Sequence, residues 1–400
     1  MGSDSTGRLA LRIVALVCAC SLPEQARDKS WPGRMDEYQR TLHALVEYRI
    51  LAAEDDGAVL PETEKPVEPG EPYEGVARLI RLLRRVGDLP ADAILEDPDL
   101  YQGALVTAVE RFQRRHGLDP DGRIDKATLA QLNTPLRFRV HQLELALERW
   151  RRRPYDPSRS AIVLNLPEFR LRAFRQNHLD LEMKIVVGEA PERKTPILTS
   201  QLEMVIFHPY WNVPLKIERD ELVPEIIKDP SFLSANHLEM ITPEGAVLHD
   251  PVSDDMLPKL RSGRIRLRQT PGPKNVLGLA KFVFPNQYEV YMHGTSAQWL
   301  FDRPRRDLSH GCIRLENAED LAEWVLRDEA GWTRDRIDEA VSGPESIVVK
   351  LKRPIQVVTW YATAVALANG EVHFFEDIYG EDAALEKQLA RSPTLASSLH

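Results

Sequence analysis

The chain opens its interpretable pattern at residues 35–53, where Leu42, Leu45, Val46 and Tyr48 recur at near-helical spacing and predict a short amphipathic helix. The next stretch, Asp55 to Pro72, is rich in glutamate and proline without apolar periodicity and reads as a linker or extended loop. Helical stripes return with Val76, Leu79, Ile80 and Leu83, and again with Leu105, Ala108, Val109 and Phe112. Turn signals at Gly87-Asp88-Leu89-Pro90 and Gly117 to Ile124 separate them and lead into a third short helix, Lys126 to Leu132. A charged amphipathic helix follows over Arg139 to Arg153.

After Ser160 the period shortens to that of strands: 161–166, 169–174, 183–188, then 204–207, 265–267 and 288–292. Between them, His208 to Lys274 is a long irregular region rich in proline and aromatic residues, a length that marks functional lids. Asn317 precedes an apolar helical stripe over 318–326, in which Trp324 is a core residue. Near the end, Val357 to Ala368, the turn Asn369-Gly370 and Glu371 to Phe375 read as a hairpin. The whole is an α+β multidomain chain: a small three-helix unit and a β-rich domain.

The 400 residues are enough for two or three domains, and 43% hydrophobic content can bury real cores. A formal net charge of −9 argues against nucleic acid as a partner, since that requires a basic footprint. The apolar run 9–20, behind Arg8, resembles the core of an export signal, interrupted by Arg12. Val17-Cys18-Ala19-Cys20 also offers a lipid-attachment box. No membrane span is expected elsewhere, because a spanning helix needs about 20 apolar residues. Of the three cysteines, Cys18 and Cys20 lie inside this leader, which leaves Cys312 as the single thiol of an exported protein.

That thiol lies in unusual company. Tyr291-Met292-His293-Gly294-Thr295 and Ser309-His310-Gly311-Cys312-Ile313-Arg314 assemble a thiol, two imidazoles, a serine, a guanidinium and flexible glycines within 25 residues. A free thiol, with a pKa of about 8.5, needs an imidazole or positive charge beside it to become a nucleophile. His293, at the end of the preceding strand, can reach Cys312 across a sheet as general base, whereas His310 shares a bent segment with the cysteine. The amides of Gly311 and Cys312 are candidate oxyanion donors. Arg314 would hold the turn or a substrate carboxylate, and Ser309, Tyr291, Gly294 and Trp211 are the remaining candidate substrate contacts.

Two resemblances follow from these residues. Ala108-Val109-Glu110-Arg111-Phe112-Gln113, His116-Gly117-Leu118, Asp121-Gly122 and Thr128-Leu129 resemble the three-helix type of peptidoglycan-binding domain. His293, fifteen intervening residues, and Ser309-His310-Gly311-Cys312-Ile313-Arg314 resemble the YkuD-type L,D-transpeptidase catalytic domain. Asn165-Leu166-Pro167-Glu168-Phe169, Val186-Val187-Gly188, Pro209-Tyr210-Trp211-Asn212-Val213-Pro214, Pro271-Gly272-Pro273-Lys274-Asn275 and Asp377-Ile378-Tyr379-Gly380 extend the likeness to its YcbB-like subgroup.

The resemblance implies a mixed β-sandwich-like catalytic domain over 160–354 with a mobile lid at about 209–275. Around it would lie a leader (1–30), a helical scaffold and linker (31–74), a peptidoglycan-binding domain (75–135), a connecting helix (136–159) and a C-terminal hairpin and tail (355–400). It implies that Cys312 attacks a tetrapeptide stem of peptidoglycan, releases D-Ala and holds a thioester. A second stem then resolves this into a 3→3 cross-link. His293 would be the base, oriented by the main-chain carbonyl of His310, with no cofactor. Carbapenem acylation, a role in cell shape, cell-wall synthesis partners and a periplasmic or cell-envelope location belong to the same expectation.

Three alternatives stay open at this stage. His293, His310 and Cys312 with His208 or His249 would make a zinc site. An inactive wall-binding protein would rely on the helical unit alone. The same enzyme with water or a lipoprotein as acceptor would be an L,D-carboxypeptidase or an attachment enzyme.

Overall fold

The computed structural model describes residues 32–95, 97, 99–152, 159–176, 178–249, 252–253 and 255–391. The leader reading of residues 1–30, with Cys18 and Cys20, lies outside the described residues, as does the tail from 392.

The helical stripes become helices α1 (Pro32–Ala53), α2 (Val76–Arg85), α3 (Ala104–Arg115), α4 (Lys126–Leu132) and α5 (Leu136–Arg152). All four stripe residues of α2 and all four of α3 are buried, and they share one core with Ile124, Leu129 and Leu132. Asp125 caps α4, its carboxylate accepting from the Thr128 amide at 2.7 Å. The acidic, proline-rich stretch is not a loose linker. Its prolines forbid a helix, but extended chain still buries side chains, and Leu60 and Val67 complete the core of the three-helix unit. Val67 and Ile124 exchange both backbone hydrogen bonds at 3.1 Å, and Asn133 Oδ1 accepts from the Leu60 amide at 2.6 Å.

A buried cation locks this unit to its surroundings. Arg115, at the end of α3, donates through Nε to Asp88 at 2.7 Å, and through Nη1 to Tyr48 Oη on α1 and to the Val372 carbonyl. Helices α1 and α5 pack together and against the C-terminal hairpin in a core of Leu45, Tyr48, Leu143, Leu147 and Phe374.

The β-rich domain is built from β1 (Ala161–Asn165), β2 (Arg170–Arg175), β3 (His178–Gly188), β4 (Thr199–Phe207), β5 (Trp211–Asn212), β6 (Leu238–Ile241), β7 (Val247–Leu248), β8 (Arg266–Gln269), β9 (Ala280–Val283), β10 (Met292–His293), β11 (Asp307–Ser309), β12 (Ile313–Leu315) and β13 (Ile347–Trp360). Nine of these form one mixed sheet in the order β11-β3-β12-β10-β9-β4-β13-β1-β2. Because β2 also pairs with β3, the sheet curls until its ends meet, which leaves few exposed edges. One face of it meets the helices Ala318–Leu326 and Arg334–Ser342 in one core that includes Phe207, Phe282, Met292, Ile313 and Trp324.

Strand β13 runs through the expected boundary at residue 354, pairing with β4 and β1 up to Trp360. The closing hairpin is therefore only β14 (Ala364–Ala366) and β15 (Val372–Phe374). Residues 209–275 also differ from the expected irregular loop. They form a second sheet, β5-β8-β6-β7, with short helices and a separate core of Val213, Val223, Ile226, Leu238, Met240, Leu260 and Leu267. Its strands are two to four residues long, too short for a two-residue period to be recognised in the sequence.

Candidate active site

Strands β9, β10 and β12 lie side by side, and their register decides which side chains meet. His293 pairs with Arg314 in the parallel direction and with Lys281 in the antiparallel direction. One residue earlier, Met292 pairs with Ile313 and Phe282, and all three are fully buried in the core. Since alternate residues face opposite ways, Tyr291, His293, Cys312, Arg314 and Lys281 project from the other face as one group. The Ile313 amide donates to the Tyr291 carbonyl at 3.0 Å, which sets Tyr291 alongside Cys312.

Gly311 sets the turn that delivers the thiol, adopting φ +115°, a conformation closed to most side chains. Ser309 Oγ donates to the Cys312 carbonyl at 2.5 Å and accepts from the Gly311 amide at 3.1 Å. Thr195 Oγ1 donates to the Gly311 carbonyl at 2.8 Å from the neighbouring loop. Two expectations change here. Ser309 is buried and clamps the turn instead of facing substrate, and the Gly311 amide, expected as an oxyanion donor, is taken by Ser309.

His293 is buried, and its Nδ1 lies 2.5 Å from the Gly294 carbonyl. A carbonyl only accepts, so Nδ1 carries the proton and the neutral ring presents Nε2 as a base. The orienting acceptor is thus the carbonyl of Gly294, not that of His310. Gly294 itself is held by donation of its amide to the Ala280 carbonyl, so its place is behind the base rather than against substrate.

Burial drives the His293 pKa down to about 3, and the nearby charges of Arg314 and Lys281 add to the effect. Burial likewise pushes the Cys312 thiol up, opposed by the backbone and hydroxyl of neighbouring Tyr291 and by the charges of Lys281 and Arg314. The resting site therefore holds a thiol and a neutral imidazole. Lys281 lies with its ammonium 3.7 Å from the centre of the Tyr291 ring. Its pKa is lowered by burial, against the pull of Cys312.

The inserted sheet closes over this face. The side chain of Trp211, on β5, comes near the Tyr291 hydroxyl and lowers its pKa against the larger effect of burial, which raises it. Asn275 stitches the neck of the insertion: Nδ2 donates to the Pro209 and Thr270 carbonyls at 3.0 and 2.9 Å, and Oδ1 accepts from the Leu277 amide at 2.8 Å. His310 turns outward, its Nε2 lying 2.7 Å from Glu221 Oε1 of the lid and 2.6 Å from Arg193 Nη1. His208 Nε2 meets the Val341 carbonyl. The histidines of the zinc reading therefore point to different places, and among the described residues no group of three or more His, Cys, Asp or Glu is placed to hold a metal. No described helix is long and apolar enough to cross a membrane.

A family profile described as L,D-transpeptidase catalytic domain, YkuD, matches residues 159–350, the segment that contains this whole face and its lid. The chain carries an L,D-transpeptidase catalytic domain. A second profile, "Putative peptidoglycan binding domain", matches residues 72–132, the three-helix unit. A protein of Haemophilus influenzae named "Putative L,D-transpeptidase" is 32% identical over 239 residues, 60% of this chain. The chain spans 48% of that relative's length.

Solved L,D-transpeptidase structures are also similar. One from Xylanimonas cellulosilytica is 16% identical with a TM-score of 0.25, covering 75% of this chain and all of its own. One from Stackebrandtia nassauensis is 12% identical with a TM-score of 0.28, covering 76% and 97%. The family assignment rests on the sequence profiles and not on these superpositions.

Around this face, Lys281, Arg193, Thr195 and Glu221 carry no motif that marks them in the sequence. Lys281 left one trace, a cation in the apolar run Ala280-Lys281-Phe282-Val283. Arg193 and Glu221 left none, because only the fold brings residues 193, 221 and 310 together.

Proposed function

We propose that this chain is an acyltransferase that forms 3→3 cross-links between peptidoglycan stems through a Cys312 thioester. The observation that carries the reading is the shared face of Tyr291, His293, Cys312 and Arg314 inside a segment matched by the transpeptidase family. His293 Nε2 takes the thiol proton as Sγ attacks the carbonyl carbon of the L-centre in a tetrapeptide donor. The C–N bond to the terminal D-Ala breaks, and the imidazolium returns its proton to the leaving amine. The side-chain amine of an acceptor stem then attacks the thioester carbonyl, and the thiolate leaves.

With the Gly311 amide engaged, the Cys312 amide is the nearer candidate for the oxyanion, helped by the charges of Arg314 and Lys281. No step needs a cofactor. The lid ties at Trp211 and Glu221 support a shielded thioester, which favours an amine acceptor over water. The three-helix unit would hold peptidoglycan near the catalytic face. Its substrate places the protein in the cell envelope.

Incubation of purified protein with tetrapeptide-containing muropeptides, followed by mass spectrometry, tests the reading. D-Ala release with dimer formation is expected from the wild type and neither from Cys312→Ala. Release without dimers would assign a carboxypeptidase, and products carrying a protein amine would assign attachment.

A further inference from the structure

At the mouth of the site, three charged or titratable groups from separate segments converge. Arg193 comes from the loop after β3, His310 from the nucleophile turn, and Glu221 from a single turn of π-helix, Glu218–Leu222, in the lid. Arg193 Nη2 donates to Glu221 Oε1 at 3.2 Å. The π-turn is fixed from beneath, because buried Glu218 Oε2 accepts from Arg266 Nε at 3.2 Å and from the Leu267 amide at 3.1 Å. Glu221 is thereby presented outward at a set place, as short π-turns at functional sites often do.

The cluster is frustrated in a specific way. His310 Nε2 is 2.6 Å from a guanidinium nitrogen, which only donates, and 2.7 Å from a carboxylate oxygen, which only accepts. One ring nitrogen cannot satisfy both at once. A ring that donates from Nε2 loses Arg193, and one that accepts there loses Glu221, which is then held by Arg193 alone in a partly exposed pair that contributes little.

The location gives this meaning. An ideal Cβ on Gly311 would lie 3.6 Å from the Arg193 carbonyl, so the Arg193 backbone runs against the nucleophile turn. His310 stands two residues before Cys312, at most about 7 Å along the chain. In a tetrapeptide donor, the terminal carboxylate lies one residue beyond the scissile bond, about 3.8 Å in Cα terms. A carboxylate is what the cluster already holds.

We propose that Arg193 and His310 form the seat for the terminal carboxylate of the donor stem, and that Glu221 occupies it as a built-in surrogate until the stem displaces it. This rests on the acyl-transfer reading above. Binding of the correct substrate then removes a lid tie that re-forms once D-Ala leaves, which couples recognition of a free carboxyl terminus to a transient opening of the mouth before the thioester is shielded again. Glu189, at 4.0 Å, is a second, more exposed carboxylate beside the Arg193 guanidinium.

The test compares two tetrapeptide stems, one ending in a free carboxylate and one in a carboxamide, on the full chain. Glu221→Gln is expected to lower KM for the carboxylate stem by up to roughly five-fold, since an exposed ion pair is worth no more. Arg193→Gln is expected to raise KM for that stem by about ten-fold or more, and for the amide stem by less than about two-fold, with Arg193→Lys between. Calorimetric binding of both stems to Cys312→Ala protein makes the same comparison without turnover, so failure of the chemistry and failure of the seat are read separately. Opposite signs for the two variants support the seat. Shifts of the same sign, or an Arg193→Gln effect equal for both stems, reduce the cluster to a lid latch and overturn the proposal.

Discussion

Tyr291 stands alongside Cys312 in the parallel pairing of β10 and β12, while His293 stands alongside Arg314, one same-face step further on. The thiol thus has a phenol as its neighbour, and that phenol also comes near Trp211 of the inserted sheet.

Tyr291→Phe removes a hydroxyl that favours the thiolate while leaving the ring against Lys281. The iodoacetamide alkylation profile of Cys312 is expected to shift to higher pH, with kcat/KM down by about ten-fold, the loss of one hydrogen bond to a charged group. An unchanged alkylation midpoint would show that the hydroxyl does not support the thiolate.

Burial of neutral His293 also sets a pH dependence of stability. Its pKa is about 3 in the folded chain against an ordinary 6.5, so below about pH 6.5 the unfolded state takes up a proton that the folded state refuses. Stability is therefore full above that pH and falls as pH drops from 6.5 towards 3, by up to on the order of 5 kcal/mol. His116, buried beside Phe112 with its pKa also lowered by burial, acts in the same direction. Urea midpoints measured from pH 7 to pH 4 should fall steeply in the wild type and less steeply in His293→Gln; equal slopes would contradict the buried neutral base.

The catalytic face was legible because it is local. His293 ends β10 and Cys312 stands immediately before the adjacent short strand β12, and the two-residue period puts both on one side. The orientation of the base was misread because the family pattern pointed to His310, whereas the His293 ring folds back onto the carbonyl of its own neighbour, Gly294. The helices of the three-helix unit were legible at full length because their stripes span two or more turns. Val67 and the lid core were not: an extended segment buries single residues without periodicity, and strands of two to four residues carry too few positions to show one.

Asn275 is the tie at the neck of the lid, buried with three hydrogen bonds to its flanking segments. Asn275→Ala is expected to cost about 1–3 kcal/mol through the unpaired carbonyls and amide it leaves behind. Hydrogen exchange should quicken across 209–275 while the nine-stranded sheet keeps its protection. Uniform acceleration through the whole domain would mean that the insertion does not open as a unit.

The central claim is that Cys312 carries an acyl group between two stems. Intact-protein mass spectrometry of the full chain, quenched in acid shortly after mixing with a tetrapeptide stem and no acceptor, tests it most directly. The wild type should gain the mass of the stem less that of free D-Ala, on the peptide containing Cys312, and lose it on adding an amine acceptor, while Cys312→Ala gains nothing. An adduct that persists in Cys312→Ala, or turnover with no adduct at Cys312 under any quench, would contradict the thioester.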